Sequence, residues 1–352
     1  MKLFACDHCG NTVYFENDLC ERCGHQLGYL ADSNALVSSV KTGQVWASPA
    51  RPGKTYVFCA NAKFGACNWL VEAGQPGPVF CRACRHNEAI PPIDVPRNLA
   101  RWQTIERAKK RLFYSLLRLG LLLETRYENP YHGLSFRFLA DMPVAQLPVM
   151  TGHENGIITI AMAEADDAER ESRRAQMGEP YRTLLGHFRH EIGHHYWDLL
   201  VANQPALPKF RALFGDETGD YNLALQSYYA TGAPRGWPQT HISAYSTAHP
   251  WEDFAETFAH YLHITDTVEM ASAFGVRARP RNDDNYLAVR MDFDPYVEDS
   301  PQTIVDNWIP LASMLNNLNR AMGHPDAYPF ILTPQVIEKL GFIHELVHGQ
   351  VH

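Results

Sequence analysis

The sequence lacks any apolar run long enough to cross a membrane. A transmembrane helix needs roughly 18 or more consecutive apolar residues, and the 352 residues contain no such stretch. The first residues, from Met1 to Cys6, also lack the long apolar segment of a signal peptide. We therefore expect a cytoplasmic protein without a membrane partner.

Positive charge is also scarce. Lysine and arginine number 31 against 39 aspartate and glutamate residues, which gives a net charge of −8. Residues 1–100 hold nine basic and eight acidic side chains, so the rest of the chain carries −9. Domains that bind DNA or RNA are usually basic, and this balance argues against a nucleic-acid partner.

Cysteine is absent from most of the chain. All 8 cysteines lie between Cys6 and Cys84, and clustered cysteines in a reducing compartment are typical of metal sites rather than disulfides. The segment 84–96 that follows contains three prolines and little periodicity, so it is predicted as a linker. We predict a tandem zinc-ribbon region, with four cysteines per metal site, over residues 1–95 and a second domain over residues 96–352.

The first cysteine cluster consists of two CxxC-Gly knuckles, formed by Cys6 with Cys9 and by Cys20 with Cys23. Each knuckle brings two thiolates to one metal in a tight turn, and glycine accepts the backbone geometry that follows. Together the knuckles supply the four sulfurs of a tetrahedral structural zinc site. Redox-active dithiols and rubredoxin-like iron are the alternatives.

The second cluster is less specific, because it has one CxxC and one wider pair. It consists of Cys59, Cys67, Cys81 and Cys84. Four cysteines again match a structural zinc site, and buried free thiols are the alternative. Two zinc ribbons would stabilise a small module and could serve as a contact for a protein partner.

Helical periodicity dominates the second domain. A helix with Asn98 as its N-cap is predicted first. Further helical patterns cover about residues 165–174, 180–200, 209–229, 250–263, 301–322 and 334–347, and short strands are predicted over residues 134–139 and 156–162. Because helices outnumber strands, the predicted class is α+β.

An HExxH motif, His-Glu-Ile-Gly-His, occupies residues 190–194 within the predicted helix over residues 180–200. Helical spacing places His190 and His194 on one face, one turn apart, where both imidazoles can reach a single zinc ion. Glu191 then lies beside the metal, where it can take a proton from an activated water molecule. The motif predicts a catalytic zinc site.

A second HExxH match, formed by residues 344–348, has only four residues after it. None of the four is acidic, and no further helix follows to supply a third ligand. We therefore interpret this match as the polar edge of a terminal helix.

The third ligand of the first motif is predicted by elimination. The position ten residues after the first motif histidine, where metzincins have a histidine, is a leucine, and no histidine occurs between His195 and His241. A carboxylate on a following helix remains, and Glu252 and Glu256 lie one turn apart. Glu252 can bind zinc while Glu256 hydrogen-bonds the other nitrogen of a ligand histidine.

The HExGH sequence over residues 190–194, followed 58 residues after His194 by Glu252-x-Phe254-Ala255-Glu256, resembles the gluzincin metallopeptidases. The likeness is greatest to the catalytic domain of anthrax lethal factor and to the Mlc titration factor peptidases, and it covers about residues 156–265. With the zinc ribbons in front, nearly the whole chain resembles a bacterial family of zinc-binding metallopeptidases. The resemblance implies a mainly helical, zincin-like domain with a small strand region.

The resemblance also implies a role for each residue of the site. The zinc ligands would be His190, His194 and Glu252. Glu191 would be the general base, and Glu256 would hydrogen-bond His190.

Several neighbouring residues have more than one interpretation. Tyr245 lies seven residues before Glu252, the offset at which enzymes resembling lethal factor place a tyrosine that stabilises the tetrahedral intermediate; a half-buried structural tyrosine is the alternative. Asp198, one turn after His194, either orients that histidine or lies on the surface. Four further histidines are interpreted as structural, with a ligand role as the alternative: His195, His249, His260 and His263.

Two functions follow from these patterns. The first is a zinc-dependent metalloendopeptidase that acts on a protein or peptide substrate, with one catalytic and two structural zinc ions. The second is a zinc-ribbon binding or regulatory protein whose peptidase-like domain does not cleave peptides. Metal analysis would distinguish the two, because two zinc ions held by the ribbon region alone and none in residues 96–352 would favour the second.

Overall fold

The computed structural model describes residues 2–74, 77, 79–140, 149–177, 183–281 and 286–350. By spatial contacts the chain divides into two compact units, Met1–Glu171 and Ser172–His352. Helices and sheets both contribute, so the predicted α+β class is confirmed. The predicted domain boundary between residues 95 and 96 falls inside the first unit and stays a prediction.

Among the described residues of the first unit, short strands build three sheets. The strands are β1 (Phe4–Ala5), β2 (Thr12–Val13), β3 (Gln26–Leu30), β4 (Ala35–Thr42), β5 (Val45–Ala47), β6 (Thr55–Phe58), β7 (Leu70–Glu72), β8 (Asn87–Ala89), β9 (Ser135–Leu139), β10 (Gly152–Glu154) and β11 (Ile157–Ala161). A hairpin pairs β1 with β2, and β3 to β7 form an antiparallel sheet in chain order. The third sheet has the order β10-β11-β9-β8, with β9 parallel to both of its neighbours.

The third sheet shows that the linker prediction is wrong in part. The strands predicted over residues 134–139 and 156–162 are present as β9 and β11. Residues 87–89, however, form strand β8 and pair with β9, although the segment 84–96 was predicted as a linker. Three largely polar residues are too few to show the alternation that identifies a strand, and their partner is distant in sequence.

Helix α1 (Pro96–Arg118) provides much of the core of the first unit. The predicted N-cap, Asn98, is wrong, because the helix begins at Pro96 and its N-cap is Val95, three residues before Asn98. Proline is favoured at a first helical position, where its missing N–H is not needed. Asn98 donates its side-chain N–H to the Pro92 carbonyl oxygen at 3.1 Å instead. The buried face includes Trp102 and Phe113, both fully buried.

The second unit is mainly helical. Its helices are α3 (Leu184–Leu200), α4 (Leu207–Phe214), α5 (Tyr221–Thr231), α6 (Pro250–Ala273), α7 (Pro301–Ala321) and α8 (Pro334–Val347), while α2 (Asp167–Met177) crosses the division between the units. A small hairpin pairs β12 (Arg277–Ala278) with β13 (Val289–Arg290). Among the described residues, no helix has the length and hydrophobicity needed to span a bilayer.

One helical prediction in this unit is wrong. Residues 209–229 were predicted as continuously helical, but α4 ends at Phe214 and α5 begins at Tyr221. Gly215 has φ 103°, a conformation that favours glycine and ends the helix. Asp220 then caps α5 by accepting a hydrogen bond from the Leu223 N–H at 3.0 Å. This break determines where the tyrosine at the start of α5 lies.

Helices α3 and α6 pack closely because one residue between them is glycine. A Cβ atom on Gly193 would lie 2.9 Å from the Ala255 Cα atom and 3.1 Å from the Ala255 carbonyl oxygen, which is too close for any side chain. The apolar face of α3 adds Phe188, Ile192 and Tyr196, each fully buried. The opposite face of α3 therefore presents its histidines toward side chains of α6.

Candidate metal centre and active site

The HExxH helix places its two histidines in contact. Thr183 caps α3 by accepting a hydrogen bond from the Gly186 N–H at 2.9 Å, which fixes the start of the helix. One turn apart on α3, the Nε2 atoms of His190 and His194 lie 3.2 Å from each other. The Trp251 ring, 3.9 Å from the His194 ring, supports this arrangement from the start of α6.

Glu252 completes a three-residue cluster. Its Oε2 atom lies 3.0 Å from His190 Nε2 and 3.5 Å from His194 Nε2. This oxygen is buried and accepts no hydrogen bond. It faces the two imidazoles. The three ligand atoms thus converge on one point, where a cation could bind all of them.

The spacing of these atoms fits zinc. Zinc–nitrogen and zinc–oxygen bonds of about 2.0–2.1 Å at tetrahedral angles place ligand atoms about 3.3 Å apart. The three separations in the cluster are 3.0, 3.2 and 3.5 Å. Two imidazoles and one carboxylate also form a donor set typical of catalytic zinc, which keeps a fourth position open.

Glu256 orients one of the histidines. His190 Nδ1 donates a hydrogen bond to Glu256 Oε1 at 2.8 Å, so the lone pair of His190 is on Nε2, the nitrogen that faces Glu252. Ser243 in turn donates its hydroxyl to Glu256 Oε2 at 2.6 Å. Burial opposes ionisation of Glu256, but His190 outweighs it and lowers the pKa of the carboxyl group to about 2. The carboxylate is therefore charged when it holds the imidazole.

Tyr221 is a site residue that the sequence analysis missed. The Tyr221 hydroxyl donates to Glu252 Oε1 at 2.5 Å, which leaves Oε2 for the histidines. The Tyr221 ring also contacts His249 and Trp251, each with centroids 5.4 Å away. The missed signal was the Gly215 break, which makes Tyr221 the first residue of a new helix.

Glu191 is buried beside the histidines without being one of the three clustered residues. Burial raises the pKa of its carboxyl group. A carboxylate that is costly to keep charged is a stronger base, which suits proton abstraction at neutral pH.

Tyr245 also lies close to His190. The two ring centroids are 5.9 Å apart, and the Tyr228 ring packs against Tyr245 at 5.7 Å. Burial, followed by the charge of Glu252, raises the pKa of the Tyr245 phenol. The phenol is therefore neutral and keeps the proton that a hydrogen-bond donor needs.

The other histidines near the motifs are occupied elsewhere. His249 caps α6, since its Nδ1 accepts a hydrogen bond from the Trp251 N–H at 3.1 Å. His260 contacts the Tyr328 hydroxyl through Nδ1 at 2.8 Å, and His263 Nδ1 lies 3.3 Å from Arg189 Nη1. His195 is buried, and Asp198 is half-buried on α3. Neither belongs to the three-residue cluster, and the predicted orienting role of Asp198 stays a prediction.

The first cysteine cluster has the sulfur spacing of a zinc knuckle pair. Its sulfurs lie 3.7 Å apart for Cys6 and Cys23 and 3.6 Å apart for Cys9 and Cys20. Zinc–sulfur bonds of about 2.3 Å at tetrahedral angles give a separation of about 3.8 Å. The cysteines are not joined as disulfides. Gly10 and Gly24, with φ 72° and 73°, follow the two knuckles as expected.

The second cysteine cluster is more deeply enclosed. Its four sulfurs again lie together, with 3.7 Å between those of Cys67 and Cys81. Backbone N–H groups donate to the sulfurs, including that of Cys84 to Cys81 Sγ at 3.4 Å. Lys110 of α1 is buried nearby, where it donates to the carbonyl oxygen of Ala66, the residue before Cys67.

Both regions of the chain match models of known protein families. A family model described as "Putative zinc-binding metallo-peptidase" matches residues 98–346, and a zinc-ribbon domain model matches residues 3–95. The chain is 41% identical over 348 residues to proteins of Mycobacterium bovis and Mycobacterium tuberculosis, covering 99% of this chain and 95% of theirs. Both relatives are described as uncharacterized. No solved structure matches.

Proposed function

Because the chain belongs to the zinc-binding metallopeptidase family, we propose that it is a zinc-dependent metalloendopeptidase that hydrolyses peptide bonds at the His190, His194 and Glu252 cluster. The proposal rests on one observation. Two imidazole nitrogens converge with a carboxylate oxygen that has no hydrogen-bond donor, and a buried glutamate lies beside them. The gluzincin assignment rests on the same arrangement.

His190, His194 and Glu252 would hold the catalytic zinc. When bound, zinc supplies Lewis-acid activation of a water molecule and of the scissile carbonyl group. Glu256 keeps the Nδ1 proton of His190 in place, so Nε2 stays available as a ligand. Tyr221 holds the second oxygen of Glu252, and the carboxylate therefore faces the histidines with one oxygen only.

Glu191 would act as the general base and then as the general acid. Its buried carboxylate accepts the proton of the attacking water, since burial raises its pKa toward neutrality. The same carboxyl group then delivers this proton to the leaving amine. Protonation of the amine is needed because an amide anion is a very poor leaving group.

Tyr245 would stabilise the transition state. Its neutral phenol donates a hydrogen bond to the carbonyl oxygen as that oxygen gains negative charge. The ring lies close to His190, with 5.9 Å between the two ring centroids. Tyr221 is already engaged as a donor to Glu252, which leaves Tyr245 as the phenol for the substrate.

The two cysteine clusters would each hold a structural zinc. Four thiolates at the observed sulfur spacing satisfy a tetrahedral ion completely and leave no open position. Zinc ions bound in this way stabilise a fold rather than activate water. The ribbon would supply a contact for a protein partner, and the reaction would depend on the third ion alone.

Cleavage of a diverse peptide library, read by mass spectrometry, tests the proposal. The wild-type protein is expected to cleave peptides at internal bonds, and Glu191→Gln is expected to lose at least about 10³-fold in rate while keeping its zinc. Glu345→Gln is the matched control, because Glu345 is the equivalent residue of the second HExxH segment and pairs with Lys209 instead. Undiminished cleavage by Glu191→Gln would remove Glu191 from the mechanism, and no cleavage by the wild-type protein would favour the binding-protein alternative.

A further inference from the structure

A cavity of about 580 Å³ opens between α5 and the turn over residues 245–248. This volume falls within the range of roughly 300–1,000 Å³ that is typical of ligand pockets. The wall from α5 and the loop after it includes Ser227, Tyr228, Thr231 and Arg235, and the turn contributes Thr247 and Ala248.

The same two elements meet at the catalytic cluster. At its beginning, α5 carries Tyr221, which holds Glu252. The turn over residues 245–248 begins with Tyr245, whose ring is 5.9 Å from the His190 ring. Tyr228 joins the two regions, because it lines the cavity and packs against Tyr245 at 5.7 Å. An extended peptide advances about 3.3 Å per residue, so the cavity is within reach of groups a few residues from the scissile bond.

Among the described residues that line this cavity, Arg235 is the single one with a charged side chain. It is exposed, and it forms no ion pair with a carboxylate in the part of the chain that the structure describes. The cavity of the first unit is different, since its arginines are neutralised: Arg85 pairs with Glu128 at 3.1 Å and Arg82 with Asp32 at 3.2 Å. An unpaired guanidinium is available to an anionic ligand.

The backbone around Arg235 forms a hydrogen-bonded turn. The Trp237 N–H donates to the Pro234 carbonyl oxygen at 3.2 Å, which closes a turn with Arg235 and Gly236 at its centre. Gly236 has φ 85° and ψ 3°, the dihedral angles of the third residue of a type II turn. A proline before Arg235 and a glycine after it hold the arginine at one place on the cavity wall.

We propose that this cavity is a substrate subsite in which Arg235 binds a carboxylate of the peptide. The inference rests on the proposed peptidase function and adds a preference to it. The guanidinium can form two parallel hydrogen bonds to a carboxylate, and the hydroxyl of Ser227 can donate a further hydrogen bond to one of its oxygens. The carboxylate is either an acidic side chain or the free C-terminus of the substrate.

Binding of synthetic peptides to the Glu191→Gln variant tests the inference without turnover. Four versions of one peptide are needed, with glutamate or glutamine at an internal position and with a free or an amidated C-terminus. The glutamate is moved along the peptide in a series. We expect one of the two carboxylates to tighten binding about tenfold, with an effect that weakens at high salt. The version that shows the effect identifies the source of the carboxylate.

The double variant Glu191→Gln/Arg235→Gln should abolish this preference, and Arg235→Lys should retain part of it, because lysine keeps the charge but loses the paired geometry. Arg279→Gln is the matched control: Arg279 is also exposed, and it is not among the residues lining this cavity. A carboxylate preference that survives in Arg235→Gln, or that is absent before the substitution, would overturn the inference. A preference combined with no cleavage by the wild-type protein would contradict the proposed function alone.

Discussion

The chain contains the same five-residue pattern twice, and the structure surrounds the two copies differently. In α3 the histidines are His190 and His194, and in α8 they are His344 and His348. Around the first pair, the neighbouring groups are carboxylates: Glu252 faces the Nε2 atoms, and Glu256 accepts from His190 Nδ1. The facing atoms are potential ligands of one cation.

Around the second pair, the partners are groups that imidazole nitrogens bind without a metal. His344 Nε2 donates to the Asp299 carbonyl oxygen at 3.2 Å, which leaves Nδ1 to accept from the Tyr261 hydroxyl at 3.1 Å. His348 contacts carbonyl oxygens through both nitrogens, that of His344 at 2.8 Å and that of Tyr296 at 3.3 Å. Every ring nitrogen of this pair therefore faces a hydroxyl or carbonyl oxygen of the protein.

The fourth residue of each motif reflects the same difference. In the first it is Gly193, which lets the backbone of α6 approach so closely that Glu252 reaches the histidines. In the second it is Val347, a buried residue whose side chain fills space. The comparison teaches that, in this chain, the HExxH copy that forms a candidate metal site is the one against which a helix bearing a carboxylate packs.

The largest expected difference between the two motifs is in activity and zinc content. His194→Ala removes a proposed ligand, and we expect it to lose the catalytic zinc and at least about 10³-fold in kcat/KM. His348→Ala should keep all its zinc and its activity, and lose only about 1 kcal/mol of stability from its hydrogen bonds. Elemental analysis and peptide cleavage measure both. Equal loss of zinc in the two variants would refute the distinction between the motifs.

A smaller effect is expected for the residues that orient each motif. Glu256→Gln removes the charge that holds His190, and zinc affinity at this site should fall about tenfold or more. Tyr261→Phe removes the hydroxyl that donates to His344, which should cost about 1 kcal/mol in unfolding free energy and leave zinc affinity unchanged. Competition with a chelator measures the affinities. A change of zinc affinity in Tyr261→Phe would contradict this account.

The smallest expected effect concerns stability. In the metal-free protein, the contributions of His190 and His344 to stability should depend on pH in opposite directions. Burial opposes protonation of His190, but Glu252 and Glu256 outweigh it and raise its pKa well above the ordinary value. Burial, followed by the charge of His348, lowers the pKa of His344. The stability that His190 contributes is therefore complete below pH about 6.5 and is lost as pH rises through its folded pKa. The stability that His344 contributes is present above pH about 6.5 and is lost as pH falls.

Urea unfolding from acidic to alkaline pH measures these contributions. The difference in stability between the metal-free wild-type protein and His190→Gln should shrink as pH rises. For His344→Gln the difference should shrink as pH falls. Slopes of the same sign for both variants would show that the environments are more alike than the contacts indicate.

Local pattern predicted part of the site, and tertiary packing supplied the rest. The positions of His190, Glu191 and His194 follow from one helical turn, and Glu252 with Glu256 follows from the same spacing on a second helix. Those residues are brought together by the structure, and their roles stay predictions. Ser243 and Tyr221 could not be predicted, because each contacts its partner across a loop or a helix break.

The same limit on prediction from the sequence applies to the fold. Long amphipathic helices such as α7 and α8 were predicted well, since their periodicity is visible over several turns. The short strand β8 and the break between α4 and α5 depend on a distant pairing partner and on a single glycine. Neither leaves a periodic signal in the sequence.

The most direct test of the account is a crystal structure with anomalous diffraction data collected at the zinc edge. The account predicts a peak about 2.0–2.1 Å from the Nε2 atoms of His190 and His194 and from Glu252 Oε2, with one further peak in each cysteine cluster and none between His344 and His348. Zinc bound between His344 and His348, or Glu252 beyond bonding distance of a zinc ion held by the first pair, would contradict it.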